Sequence, residues 1–363
     1  MYENFVKQLL ELQNMLEDDI SKEIFNARIL QNYEFNFSCM QSVKNVSDKT
    51  PYIYPAESWI KDPCSYETLW NQKALSFEDN IVLFGLSEHS MNIFEALGLE
   101  RIKNLVWCVK DPGTLSKACG KPVISYQDLV LNYRDYKFIL IEKADIQNVL
   151  NIYKDLRYIG FNKDKIFMLC PHSENQYFDS IVKLSSNEIF VDLGAFDGGT
   201  SIEFAKRTDY TYKQIYIFEP DPLNYEKTLR NINNSNLKNV QIFKIGGWSK
   251  KDTLNFSPAH FASRISDDGS NIIEVNSLDN VLGDEPVTFI KMDIEGAELE
   301  ALIGAEEIIK KYKPHLAISL YHKPEDIFEI PLYIKNLVPE YKLYLRNYML
   351  RYPFETVLHA FVD

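Results

Sequence analysis

The feature that most constrains this chain is a series of short, wholly apolar runs separated by helix-length stretches. In the second half they read EIFVDLG (188–194), QIYIFEP (214–220), NVQIFKI (239–245), VTFIKMD (287–293), HLAISLY (315–321), YKLYLRNY (341–348) and ETVLHAF (355–361). Strands apolar throughout, rather than alternating, are buried on both faces, and joining them through helices gives parallel βαβ units. The last two runs are separated by a short connection, which predicts an antiparallel hairpin. Residues 171–363 are thus expected to form an α/β domain with a mostly parallel seven-stranded sheet and a C-terminal hairpin.

A second series lies upstream: NIVLFGLS (80–87), NLVWCVKDP (104–112), KFILIE (137–142) and KIFML (165–169), with a helical stretch at 144–158. It predicts a small Rossmann-like domain over 76–170. Its first turn carries only Gly85 where nucleotide-binding loops bring two or three glycines, and Asp111 beside Lys110 stands where a ribose-binding acid would. A nucleotide or nucleotide-sugar site and a scaffold for an acceptor both remain open for this domain. Ahead of it, Phe5, Leu9, Leu12, Leu16 and Ile20 make one apolar stripe, so 1–75 begins as a helical arm that offers a homodimer element, with Ser21 as the cap of a second helix. From Thr50 to Tyr66 the chain turns irregular and aromatic, with Pro51, Pro55 and Pro63 breaking any helix. Trp59 and Trp70 either stack on a sugar ring or pack against neighbours.

Charge and cysteine usage exclude several classes. With 39 basic against 52 acidic residues the formal charge is −13, which opposes nucleic-acid binding by phosphate neutralisation. The five cysteines (Cys39, Cys64, Cys108, Cys119, Cys170) never fall as CxxC and suit neither a disulfide framework nor zinc. The N-terminus carries acids where a signal peptide carries bases, and no apolar run approaches the ~20 residues needed for a membrane span. The expectation is a cytoplasmic protein without a transmembrane segment.

Four segments carry chemistry. In FVDLGAFDGGTS (190–201) a buried strand runs into a turn where Gly194 and Gly198 permit close backbone approach, and Asp192 stands at the strand's C-terminal edge. Acids there favour a cation, such as a sulfonium and amino group, over a pyrophosphate. Glu219 ends the next strand, placed to accept the ribose hydroxyls of an adenosine, while Asp221 and Pro222 cap the helix that follows. In FIKMDIEGAELEALIGAEEII (289–309), Asp293 and Glu295 sit in the turn after the strand. Glu298, Glu300, Glu306 and Glu307 read as solvated helix-face residues, and Gly304 as a break between two helices. His322 follows strand HLAISLY at the same edge, next to Tyr321.

With these segments in hand, residues 188–363 resemble a class I S-adenosylmethionine-dependent methyltransferase of the FkbM family. The resemblance is carried by VDLGAFDGGTS, IYIFEPDP, VNSLDNVL, FIKMDIEGAELEALIGA and YHKPEDIFEIPLYI. It implies S-adenosyl-L-methionine as cofactor, held by Asp192, Gly194, Gly198 and Glu219, with Asp293 and Glu295 near the reacting centre. It also implies O-methyl transfer to a hydroxyl on a sugar, glycan or natural product; the alternative is a non-catalytic scaffold or nucleotide-sugar-binding protein of a glycan pathway. Two departures bear on the base: PHLAISLYH lacks the acid that many relatives carry at the end of this strand, and Asn347 stands where close relatives read His. Asp293, Glu295 and His322 are the candidate bases. The alternative, carboxylates holding a divalent ion, ranks lower because no single loop carries a run of spaced carboxylates.

Overall fold

The computed structural model describes residues 2–34, 52–55, 79–86, 90–91, 94, 99–141, 146–170, 176–257, 264–265, 271–348 and 355–362. In chain order it begins with α1 (Tyr2–Met15), α2 (Asp19–Glu34), β1 (Tyr52–Pro55), β2 (Asn80–Phe84), β3 (Asn104–Val109), β4 (Lys117–Ala118) and β5 (Lys121–Ser125). There follow α3 (Tyr126–Asn132), β6 (Lys137–Ile141), α4 (Ile146–Tyr158), β7 (Ile166–Cys170), β8 (Ile189–Leu193), α5 (Gly199–Arg207), β9 (Gln214–Phe218), α6 (Pro222–Asn234) and β10 (Val240–Phe243). The remainder is β11 (Gly246–Gly247), β12 (Asp252–Ser257), β13 (Arg264–Ile265), β14 (Asn271–Asn276), α7 (Leu278–Leu282) and β15 (Phe289–Met292), then α8 (Glu298–Ile303), α9 (Glu306–Tyr312), β16 (His315–Ser319), α10 (Asp326–Leu337), β17 (Lys342–Asn347) and β18 (Thr356–Phe361). Among these residues no helix is long and apolar enough to cross a membrane.

The chain divides into two compact units. One comprises Met1–Ser47, Asn175–Tyr348 and Pro353–Asp363, the other Asp48–Glu174 and Met349–Tyr352. The smaller unit holds a sheet in the order β1-β7-β6-β2-β3-β5-β4, parallel from β7 through β5 and antiparallel at both edges. Alternate residues of β2 feed its two faces, Val82 and Phe84 into one core, Ile81 and Leu83 into the other. The edge strand β1 arises inside the stretch expected to be irregular. Proline forbids a helix there but not an edge strand, and Pro55 closes this one. Trp59, Trp70 and the turn residues Ser87, Glu88 and His89 lie outside the described residues.

The larger unit carries the expected seven-stranded sheet, ordered β10-β9-β8-β15-β16-β18-β17, parallel except for β18, which runs antiparallel to both β16 and β17. Its strands are buried on both faces. Ile189, Val191 and Leu193 of β8 join one core with Ile290, Met292, Leu316 and Ile318; Phe190 joins the opposite core with Phe289 and Ala317. Between β10 and β15, where no strand was expected, β11–β14 build a small four-stranded sheet around Ile273 and Val275.

The N-terminal helices belong to this larger unit rather than standing apart as an arm. Leu12, Leu16, Ile24, Phe25 and Ala27 are buried in the same core as Ile327, Ile330, Ile334, Leu343 and Leu345. Leu16 bridges to Leu343, and Arg28 Nη2 donates to Leu320 O at 2.9 Å. The cap of α2 is Asp18, whose carboxylate accepts from Ser21 N at 2.8 Å. Ser21, expected as the cap, lies inside the helix; its hydroxyl donates to Asp18 at 2.5 Å and accepts from Leu345 N at 2.9 Å. Arg346 completes the joint, with Nη2 2.6 Å from Asp18 and Nε 4.0 Å from buried Asp179. Removing a buried counter-charge costs more than the pair itself contributes. Arg346→Met is therefore expected to lower stability by about 3 kcal/mol, and at roughly 2–4 °C per kcal/mol the midpoint measured by scanning calorimetry should fall by ~6–12 °C.

Candidate active site

In strand order β8 is the point of reversal: β9 and β10 lie on one side of it, β15 and β16 on the other. The crevice beyond the C-terminal ends of β8 and β15 is where open α/β sheets bind ligands. Gly194 opens the turn at this edge with φ +78°, and its N–H donates to Phe218 O at 3.0 Å. A Cβ at Gly194 would lie 1.9 Å from Asp293 O, so the turns after β8 and β15 are in direct backbone contact. Gly198 (φ +83°) caps α5, and a Cβ there would meet only the side chains of Ile232 and Thr228, at 3.2–3.3 Å.

Asp192, expected beside the cofactor, is fully buried. It accepts from Lys291 Nζ at 2.9 Å and from Ser201 Oγ at 2.7 Å, and Asp192 and Lys291 are register partners across β8 and β15. The carboxylate thus projects from the sheet face toward a neighbouring strand, not beyond the strand's end. Lys291 Nζ also donates to Leu193 O at 3.2 Å and Gly194 O at 2.6 Å, tying the ion pair to the glycine turn. Burial opposes the charge on Lys291, but Asp192 and Asp293 outweigh it and raise its pKa.

Glu219 stands at the end of β9, buried, with Oε2 accepting from Phe196 N at 2.8 Å and Oε1 from Asp221 N at 2.9 Å. Each oxygen keeps a second lone pair that a ribose hydroxyl could use. Burial pushes this carboxyl up to about 7, against the two backbone hydrogen bonds. Asp221 caps α6 as expected, accepting from Leu223 N at 2.8 Å and Asn224 N at 3.0 Å, with Pro222 in the first turn.

Beyond β15 and β16 the structure brings Asp293, Glu295 and His322 together. His322 Nε2 lies 3.4 Å from Asp293 Oδ1 and 3.4 Å from Glu295 Oε2. Its Nδ1 is 2.8 Å from Glu298 Oε1, which also accepts from Ile294 N at 2.9 Å. Asp293 accepts from Tyr177 at 2.7 Å and from Tyr321 at 3.0 Å. Burial disfavours charge on His322, but the Glu298 hydrogen bond and the charges of Glu298, Asp293 and Glu295 raise it to about 9. Burial likewise opposes ionisation of Asp293, yet Lys291, His322 and the two tyrosine hydroxyls hold it below the usual carboxylate range. Glu355, just ahead of β18, is pushed up to about 8 by burial and by Asp293. Glu295 and Glu355 both adopt left-handed backbone, φ +56° and +62°, a strain that clusters at functional sites.

Comparison with known proteins bears on this edge. Residues 192–351 match the methyltransferase FkbM domain, which spans both the glycine turn and the carboxylate–histidine cluster. This part of the chain is similar to an FkbM methyltransferase domain. S-adenosyl-L-methionine is the methyl donor of such a domain. Among solved structures, the methyltransferase FkbM from Methylobacillus flagellatus is 18% identical over 93% of this chain and 99% of its own, with a TM-score of 0.46. An rRNA methylase from Streptococcus thermophilus is 16% identical over 50% of this chain and 90% of its own, TM-score 0.35. A SAM-dependent methyltransferase from Aquifex aeolicus is 18% identical over 48% and 84%, TM-score 0.31. No curated protein matches the chain.

Three neighbours of the FkbM cluster escaped sequence reasoning. Glu298 is buried, not solvated, because it shares the inward stripe of α8 with Ala301 and Leu302, continued by Ala305 just beyond the helix. That 298, 301, 302, 305 spacing was a legible signal. Tyr177 and Glu355 come from segments far away in the chain, and nothing local marks them. The two glycines differ sharply in what they tolerate. Both substitutions carry the cost of a left-handed φ; Gly194→Ala adds a backbone clash and is expected to cost roughly 3 kcal/mol or more, whereas Gly198→Ala adds only tight contact with movable side chains and costs about 1–2 kcal/mol. Urea unfolding of both variants checks the ranking.

Proposed function

We propose that the chain transfers a methyl group from S-adenosyl-L-methionine to a hydroxyl of a sugar, glycan or natural-product acceptor. The observation that carries this is the backbone contact between Gly194 and Asp293, which supports a donor turn and an acceptor cluster lying side by side. The acceptor class follows from the family resemblance alone. Gly194 and Gly198 allow the cofactor to approach the backbone, and Glu219 accepts from its ribose hydroxyls. Asp192 serves as a positioning residue, holding the turn through Lys291.

On the acceptor side, Asp293, Glu295 and His322 are assigned the catalytic work. As the acceptor oxygen bonds to the methyl carbon, the sulfur–methyl bond breaks and S-adenosylhomocysteine leaves, so the hydroxyl proton must be taken up nearby. In-line alignment of oxygen, methyl and sulfur supplies much of the rate, and a hydroxyl needs its proton drawn off to attack. Tyr177 and Tyr321 hold the Asp293 carboxylate in one orientation.

Two outcomes follow. In a labelled methyl-transfer screen over nucleotide-sugars, glycans and natural-product alcohols, Asp293→Asn should lose about 10²-fold or more in turnover while still binding S-adenosylhomocysteine. Wild-type turnover by that variant, or binding of NAD in place of S-adenosylhomocysteine, sinks the reading. For the cofactor, the carboxylate form of Glu219 is the one that accepts hydroxyls, and it gains its proton as pH falls through about 7. Calorimetric affinity for S-adenosylhomocysteine should therefore weaken below pH 7, by at most about tenfold per pH unit. Glu219→Gln should bind weakly at pH 8 and show no such slope.

A further inference from the structure

We infer that the cluster beyond β15 and β16 is a binding site for one divalent first-row metal ion, held by His322 Nε2, Asp293 and Glu295, with Glu298 fixing the ring from behind. The inference rests on the proposed function for its chemistry but on separate geometry for its existence.

Three observations carry it. First, His322 Nε2 is buried within a side chain only 8% exposed and has no hydrogen-bond partner, although two carboxylate oxygens flank it at 3.4 Å. That separation is long for a hydrogen bond. Nitrogen and oxygen ligands sharing an ion at about 2.0–2.2 Å each, however, lie roughly 3.0–3.5 Å apart in tetrahedral or octahedral sites. Secondly, Nδ1 of the same ring is committed to Glu298 Oε1 at 2.8 Å. A carboxylate on the far nitrogen is the usual support of a metal-bound imidazole, fixing its tautomer and raising its basicity. Glu298 is buried completely, with Oε2 lacking a hydrogen-bond partner. Thirdly, Asp293 and His322 belong with the supporting Glu298 to a group whose ligating atoms lie within 4.8 Å of one another, and Glu295, outside that group, reaches His322 Nε2 at 3.4 Å. They come from the two crossovers that follow β15 and β16, and Glu295 lies in the first of these with φ +56°.

The donor set, one imidazole and two carboxylates, suits manganese or zinc better than calcium. Binding replaces any proton on Nε2 by the ion, so one proton is released per ion bound to the imidazolium form. A metal here would act on an acceptor hydroxyl as a Lewis acid, making its proton easier to remove.

The test uses the full chain, stripped with chelator and titrated with manganese chloride by calorimetry and electron paramagnetic resonance. We expect one ion per chain, with binding lost in His322→Ala and Glu295→Gln. Glu298→Gln should retain one site weakened by about 10–100-fold. Each variant should bind S-adenosylhomocysteine as the wild type does, which verifies the fold. If the wild type binds S-adenosylhomocysteine but neither manganese nor zinc, or if the His322 variant binds metal undiminished, the inference is overturned and the proposed methyl transfer stands. If metal binds as expected while S-adenosylhomocysteine does not, the metal site stands and the proposed methyl transfer falls.

Discussion

The buried pair of Lys291 and Asp192 is the constraint on which the site depends. A lysine sealed between two apolar strands is costly unless every donor finds a partner. Here the ammonium reaches Asp192, Leu193 O and Gly194 O together, and its charge also sits over the Tyr177 ring at 5.3 Å. One cation thereby joins β15 to the turn after β8 and supports the tyrosine that holds Asp293. Its row on the sheet has room for this because its register partner on the other side, in β16, is Ala317. Asp192 contributes by making that cation tolerable, and its second oxygen anchors Ser201 in the first turn of α5.

Above this pair the charge balance reverses. Asp293, Glu295, Glu298 and Glu355 converge around His322, with Lys291 the other cation acting on Asp293, and the pKa values of Asp293 and Glu355 are driven in opposite directions. Asp293 is held ionised, while Glu355 is pushed toward its neutral form. A site that concentrates carboxylates against so little positive charge has a standing demand for a cation. A sulfonium donor meets part of that demand from the cofactor side.

Much of the fold was legible because parallel strands buried on both faces have no polar face to show. FVDL, YIF, FIKM and LAIS could hardly be read otherwise, and the turns after them fixed the functional edge. What escaped did so for identifiable reasons. β1 was hidden by prolines that exclude helices but permit edge strands. Glu298 was taken for surface because acids crowd the start of α8, although its spacing to Ala301 and Leu302 put it inside. Lys291, a charge in the middle of an apolar run, was visible but its partner was not: pairing Lys291 with Asp192 requires the strand order. Tyr177 and Glu355 are brought in by tertiary structure alone.

The joint between the first two helices and β17 has a consequence for how the molecule is made. Ser21 and Leu345, which share a hydrogen bond, are separated by 324 residues. At ribosomal speeds of about 5–20 residues per second, α2 would wait roughly 15–65 s for its partner strand to be synthesised. During that interval residues 48–174, the bulk of the smaller unit, are synthesised, while Leu12, Leu16, Ile24 and Phe25 remain without their final cover. Helices α1 and α2 are thus made well before the strand that covers them. The same stretch carries Glu3, Glu11, Glu17, Asp18, Asp19 and Glu23, charges of the kind that oppose aggregation of an uncovered apolar stripe.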